Sequence, residues 1–169
     1  TTGNYRFPNV KAPRIHNRED WRRPGWVSEM IQLLNNQSHF RWFDSGDMYH
    51  RNLAGNILEV MQATPATKTR LPTRMHKLAK CKPPIRAMER LANVVVRKSS
   101  DSITGKTIRG KTTSTIIAHS AATENLPHFT NIICRAYERD GKCGDCRACW
   151  DKSISVIAYP AHGQKMASV

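Results

Sequence analysis

The amino-acid sequence predicts an α/β fold in which parallel βα units form an open sheet or a partial (β/α) barrel. Apolar strand-like runs alternate with amphipathic segments in the order helix, strand, helix, strand, helix, strand. The strand runs begin near residues 39, 68 and 93, and spacings of 25 to 29 residues leave room for helical crossovers between parallel strands. The length of 169 residues and the 39% of hydrophobic residues suit a single domain, 1–169, with an ordinary core.

The first predicted elements follow a basic N-terminal segment. Residues 1–23 are polar and show no hydrophobic period, which predicts an irregular segment. Pro24 then precedes apolar residues at helical spacing, so a helix is predicted over 24–35. The aromatic run 39–43 predicts a short buried strand, and it ends at the turn-forming residues 44–47.

The following segments complete a predicted βα core over residues 24–119. A second helix over about 50–63 and a third over about 83–91 alternate with strands at 68–73 and 93–99. The run NVVVRKS is the clearest strand in the chain, because three consecutive β-branched residues lead it.

The βα alternation stops after residue 100. Residues 102–113 contain two glycines and no hydrophobic period, which predicts a hairpin or a mobile loop. Two further strands, 113–118 and 154–159, are predicted to flank a C-terminal cysteine-rich, metal-binding insertion.

Positive charge is concentrated in one block of the chain. Residues 66–112 contain 13 Lys and Arg residues and only two acidic residues, and the formal net charge of the whole chain is +14. Such a field attracts polyanions, so the predicted partner is nucleic acid or an acidic or nucleoprotein surface. The block contains no Phe, Trp or Tyr, which favours contacts with a phosphate backbone over base stacking. The predicted nucleic-acid-binding residues are Arg70, Arg74, Lys77, Lys80, Lys82, Arg86, Arg90, Arg97 and Lys98.

The cysteines indicate a metal site in the segment 130–152. Four of the five lie within sixteen residues, and three of them have the spacing C-x-x-C-x-x-C. In a reducing compartment, thiolates in this pattern bind zinc or an iron–sulfur cluster rather than calcium or magnesium. Zinc is favoured, an iron–sulfur cluster is the alternative, and either would fix the segment in place. The predicted ligands are Cys134, Cys143, Cys146 and Cys149, with His162 as a possible substitute, whereas Cys81 is predicted to be a packing residue.

Polar residues follow the predicted strands. In parallel βα folds, ligands bind beyond the carboxyl ends of the strands. A possible ligand pocket is therefore formed by Asp44, Ser45, Asp47, Arg74, Ser99 and Asp101. The alternative interpretation is structural, since Asp and Ser in these positions also form turns and cap helices.

Five segments together resemble the phage gene product 88 family. They are GNYRFPNVKAPRIHNREDW (3–21), FRWFDSGDMYH (40–50), LPTRMHKLAK (71–80), NVVVRKSSDSITG (93–105) and CRAYERDGKCGDCRACW (134–150). The resemblance implies a phage protein with a layout similar to radical-SAM-like (β/α) partial barrels. It also implies an upstream cysteine motif for a radical-SAM-type cluster, which this sequence lacks. Because the chain begins at Thr1 without a Met, we expect a processed or trimmed piece, or an incomplete sequence.

These observations lead to three hypotheses about function, of which the first is favoured. It is a non-catalytic, metal-binding protein that engages nucleic acid or a nucleoprotein partner through the 66–112 face. The alternatives are a radical-SAM-like or nucleic-acid-modifying enzyme with an auxiliary iron–sulfur cluster, and a phage inhibitor of a host nucleic-acid-binding machine. The sequence leaves catalysis undecided. It has no apolar run of about 18 residues, so we expect no membrane span and a host-cytoplasmic location.

Overall fold

Six parallel strands form a single curled sheet, a half-barrel, in the computed structural model of the chain. The structure describes residues 7–44, 46–118 and 130–161. The strands are β1 (His39–Arg41), β2 (Lys68–Thr73), β3 (Val94–Ser99), β4 (Thr113–Ile117), β5 (Thr130–Ile133) and β6 (Val156–Pro160). The described helices are α1 (Pro8–Asp20), α2 (Trp26–Asn35), α3 (Arg51–Ala63) and α4 (Lys82–Arg90). Across the sheet the order is β1-β2-β3-β4-β6-β5, which confirms the predicted parallel α/β architecture.

Helices α2, α3 and α4 cover one face of the sheet. Ile57 of α3 and Met88 of α4 lie in one buried cluster with Leu71 of β2 and Val96 of β3. α3 connects β1 to β2, and α4 connects β2 to β3, so both are helical crossovers between neighbouring parallel strands. No helix among the described residues is long and apolar enough to cross a membrane.

Helix α4 is short because the residues that begin it and the residue that ends it lie close together in the sequence. Two prolines, Pro83 and Pro84, stand in its first turn, where their missing N–H groups need no intrahelical partner. Ile85 and Met88 are three positions apart and are both buried on the sheet side. The helix ends where the Leu91 N–H donates to the Met88 carbonyl, over 3.1 Å. One face of α4 is thereby fixed against the sheet.

The connection between β3 and β4 is a loop crossover, so of the two predicted forms, a hairpin or a loop, the hairpin is wrong. The two strands are parallel and pair Lys98 with Thr113, so the connection between them must turn back beyond the end of β3 and return to the level of Lys98, beside which β4 begins. Within this loop the Gly105 N–H donates to the Ile116 carbonyl over 2.8 Å, and the Thr115 hydroxyl donates to the Lys106 carbonyl over 2.8 Å. These bonds hold the loop beside β4.

The cysteine-rich segment between β5 and β6 covers the other face of the sheet. Ala148 and Cys149 pack against Ile157 of β6 in a second buried cluster. Arg70 of β2 and Arg97 of β3 contact this same segment. Each is the neighbour, along its strand, of a residue that faces the helices, and successive side chains of a strand point to opposite faces of the sheet. The segment predicted as an insertion is therefore a packing layer of the fold.

Two elements of the structure differ from the sequence predictions. β5 is absent from the predicted set, and α1 occupies a segment predicted to be irregular. α1 buries none of its residues, so it has no apolar stripe from which a helix is predicted. Its C-terminal end is fixed by Tyr49, whose hydroxyl donates to the Arg18 carbonyl and accepts from the Trp21 indole N–H over 2.7 Å.

Candidate functional site

The nine basic residues predicted to bind nucleic acid fall into three groups in the structure. The first group is buried: Arg70 and Arg97 are 7% and 1% exposed. So little of either side chain is exposed that the structure does not place these two residues on an open basic face, where the sequence prediction puts them. Both lie on the sheet face that the cysteine-rich segment covers.

The second group is exposed or half-buried but paired with acids. The Arg74 Nε lies 3.6 Å from the Asp101 carboxylate, which Lys77 also contacts. The Lys98 ammonium lies 2.6 Å from the Glu89 carboxylate. These pairs use both acids of the 66–112 block, and the two negative charges compensate two of the three positive charges locally.

The third group is exposed and has no ion pair among the described residues: Lys80, Lys82, Arg86 and Arg90. Lys82, Arg86 and Arg90 recur every four positions on α4, opposite the buried Ile85 and Met88, and we call these three the α4 stripe. Successive positions are about 6 Å apart along the helix axis, so the stripe is about 12 Å long. Lys80 stands just before α4, in a short 3-10 turn.

The polar residues at the strand ends form structural contacts. The Asp47 carboxylate accepts hydrogen bonds from the Thr73 hydroxyl (2.8 Å), the Met48 N–H (2.8 Å) and the Arg74 N–H (2.7 Å). It thus joins the loop after β1 to the end of β2, which agrees with the structural interpretation of this residue.

The other strand-end residues make contacts of their own. Asp44 is exposed and lies 3.7 Å from Arg41, while Ser99 bonds to the Ser114 hydroxyl over 3.2 Å. Asp101 meets Arg74 in the ion pair described above. Ser45 lies outside the described residues.

Removal of the Asp47 carboxylate tests its structural role. We expect Asp47→Ala to lower the free energy of unfolding by about 2 kcal/mol, because three donors lose their acceptor and two of the three bonds are half-buried. Thermal unfolding measures the effect, with Asp44→Ala as the matched control, since Asp44 is exposed. Equal unfolding temperatures for the two variants would contradict the role.

Arg97 fixes the cysteine-rich segment to the sheet. Its guanidinium donates to four carbonyls of that segment, over distances of 2.7 to 3.3 Å. The carbonyls belong to Ala148, Cys149, Asp151 and Ile154. Burial lowers the pKa of the Arg97 guanidinium, but an arginine so bonded stays charged at any ordinary pH. The sequence signal for the burial of Arg97 is its position in the apolar run VVVRK, because both faces of a central parallel strand are covered by other elements.

Trp150 makes the second attachment of the segment. Its indole N–H donates to the Phe40 carbonyl over 2.9 Å, and the Arg70 guanidinium stacks 4.7 Å from the centre of its ring. The Arg70 Nε makes no hydrogen bond within the described part of the chain.

The four clustered cysteines occupy one region but do not converge. Cys149 is buried, with its sulfur 3.3 Å from the Tyr159 hydroxyl, while Cys143 is half-buried and Cys146 is exposed. Burial raises the pKa of the Cys134 thiol, and the nearby thiols of the other three raise it further. Within residues 7–44, 46–118 and 130–161, no three His, Cys, Asp or Glu side chains are grouped to hold a metal.

The sequence prediction for the metal site also considers Cys81 and His162. Cys81 is fully buried in the core beside the helices, which confirms the prediction of a packing residue. His162, the possible substitute ligand, lies outside the described residues.

Comparison with known proteins identifies a family for most of the chain. The model of a family described as "Gene product 88" matches residues 1–152, which confirms the resemblance found in the sequence and supports a phage protein. No curated protein matches the chain, and no solved structure matches it.

Proposed function

The chain belongs to the gene product 88 family, and from its exposed charges we propose that it binds the phosphate backbone of nucleic acid through α4. The observation that carries the proposal is the α4 stripe with Lys80. These four bases are exposed, lie on α4 and the 3-10 turn just before it, and have no ion pair among the described residues, since the one acid of α4, Glu89, pairs with Lys98. The chain acts in this proposal as a non-catalytic binding protein.

The geometry favours the backbone over the bases. Phosphates attract any suitably placed ammonium or guanidinium, whereas base readout needs a helix or ribbon inserted in a groove. α4 has nine residues and two prolines in its first turn, and its outer face carries point charges without aromatic neighbours. Binding should therefore depend little on sequence and strongly on salt.

The dependence of affinity on salt tests the proposal in the native chain. Four phosphate contacts predict a slope of about −3.6 in log K against log salt for duplex DNA. Between ~50 and ~200 mM salt the affinity should then fall by about 150-fold. Fluorescence anisotropy with a labelled duplex measures it, and an affinity that is independent of salt would refute backbone binding.

We further propose that the cysteine-rich segment binds one zinc ion through Cys134, Cys143, Cys146 and Cys149. Four thiols suit zinc in donor chemistry, and burial, followed by the charges of the other three thiols, raises the pKa of Cys134. No three of these thiols are grouped for a metal among the described residues, so the proposal requires the loop that carries the cysteines to rearrange when zinc binds. Gly141 and Gly144, at φ of +78° and +54°, give that loop turns that other residues rarely adopt.

Elemental analysis tests the zinc proposal. We expect about one zinc per chain and its loss in the double variant Cys143→Ser/Cys146→Ser. Because Arg97 independently bonds the segment to β3, the double variant should remain folded by circular dichroism. Cys81→Ala is the matched control and should keep its zinc.

Two results would contradict the zinc proposal. Zinc content unchanged in the double variant would refute the ligand set. Iron with acid-labile sulfide and visible absorption would instead support the iron–sulfur alternative.

A further inference from the structure

A pocket of about 930 Å³ opens at the edge of the sheet where the strands begin. It lies opposite the strand-end residues and is bordered by His39 at the start of β1, Lys68 at the start of β2, and the cysteine-rich segment. Its volume falls within the range of about 300–1,000 Å³ that is common for small-ligand sites. The α4 stripe does not border this pocket, and of the four proposed zinc ligands Cys146 is among its lining residues.

The charges that border the pocket are mainly positive. Lys68, Arg147 and Lys152 contribute three bases from two separate parts of the chain, and Asp151 is the acid among the lining residues. Asp151 already accepts hydrogen bonds from the N–H and the hydroxyl of Ser153, over 2.8 and 2.7 Å. The pocket thus presents an excess of cations to any ligand that enters it.

Other contacts hold two of these bases at the pocket. The Arg147 guanidinium donates to the carbonyls of Gly144 and Cys146, and the Lys152 ammonium donates to the Leu91 carbonyl. The pKa of His39 is lowered by burial and then by the charges of Arg147 and Lys68. The fields of these two bases therefore overlap at His39.

Aromatic rings form one wall of the pocket. The His39 and Trp150 rings meet edge to face, with centres 5.5 Å apart and planes at 86°. Trp150 is held from behind by the Phe40 carbonyl and by the Arg70 guanidinium. These two contacts fix Trp150 from residues that do not line the pocket, and aromatic side chains in a pocket wall can pack against a planar ring.

We propose that this pocket binds a nucleotide. Its phosphate contacts Lys68, Arg147 and Lys152, and its base packs against the rings of His39 and Trp150. Three bases together match a phosphate, while the aromatic wall distinguishes a nucleotide from an inorganic anion or a sugar phosphate. The inference stands independently of nucleic-acid binding by α4.

Isothermal titration calorimetry with the full chain tests the inference. The probes are the four ribonucleoside 5′-monophosphates, with adenosine, ribose 5-phosphate and inorganic phosphate as comparisons. We expect at least one nucleotide to bind at millimolar concentration or below and to bind more tightly than each comparison compound. Lys68→Gln/Arg147→Gln should weaken binding at least about tenfold, whereas the matched control Lys106→Gln/Arg109→Gln should not.

A spectroscopic measurement on the native chain makes the test independent of any variant. Nucleotide should shift the ring-proton signals of His39 in NMR spectra, assigned with His39→Gln, and adenosine should shift them less. The inference is overturned if no nucleotide binds at millimolar concentration, if adenosine binds as tightly as its monophosphate, or if the double variant binds unchanged. The variant Lys68→Gln/Arg147→Gln leaves α4 intact. A negative result for nucleotide binding therefore does not affect the salt slope measured with duplex DNA, which tests the proposal for α4.

Discussion

Replacing Arg97 by methionine is expected to lower the free energy of unfolding by about 3 kcal/mol. The substitution leaves four backbone carbonyls of the cysteine-rich segment without their donor, in a site where the arginine is 1% exposed. Removing a desolvated charge offsets part of that loss, because burial of a cation is itself unfavourable. Methionine has a similar length, so the expected effect comes chiefly from the lost bonds and not from a cavity.

Thermal unfolding with a matched control measures the effect. A loss of about 3 kcal/mol corresponds to a decrease of about 6–12 °C in Tm for a chain of this size. Arg86→Met makes the same chemical change on the exposed face of α4 and should leave Tm nearly unchanged. If both variants unfold at the same temperature, Arg97 does not fix the segment.

The role of Arg97 changes how the cysteine-rich segment is understood. The sequence interpretation treated this segment as an insertion that a metal would fix in place. In the structure the segment covers a face of the sheet and is bonded to it by Arg97 and Trp150. A bound metal would then add to an attachment that already exists.

The periodic part of the fold was predictable from the sequence. Helices 24–35, 50–63 and 83–91 and the strands between them correspond to α2–α4 and β1–β3, because each has an apolar pattern of the right period. The two strands predicted at 113–118 and 154–159 correspond to β4 and β6.

The remaining elements could not be predicted because their stability comes from distant contacts. β5 is a four-residue edge strand that pairs with β6, a strand later in the chain. α1 buries no side chain and is attached through Tyr49 at its end. Neither feature leaves a local pattern in the sequence.

The sequence shows the net positive charge of the 66–112 block, but it does not show which of its bases share one exposed surface. Composition alone cannot show that Arg97 donates to carbonyls, that Lys98 meets Glu89, or that Arg86 is exposed. These outcomes depend on which strand face is covered and on which loops bring acids close. The spacing of four residues along α4 was available in the sequence, and it was the signal that separates the stripe from the rest of the block.

Neutralising the α4 stripe is expected to abolish most of the salt dependence of nucleic-acid binding. The triple variant Lys82→Gln/Arg86→Gln/Arg90→Gln keeps the buried residues Ile85 and Met88, so α4 should stay folded. It leaves one of the four proposed phosphate contacts, Lys80. The slope should then change from about −3.6 to about −0.9.

The matched control removes the same charge from the same basic block. Lys106, Arg109 and Lys111 are exposed bases in the loop between β3 and β4, and their replacement by glutamine lowers the net charge equally. This comparison separates binding by α4 from attraction to the overall charge of the chain.

The most direct measurement is therefore the affinity of both triple variants for a labelled duplex at ~50 and ~200 mM salt. The account predicts that affinity falls about 150-fold between these concentrations for the native chain and the control, and about 3-fold for the stripe variant. If the stripe variant and the control show the same dependence on salt, α4 is not the binding surface, and the proposed function is wrong.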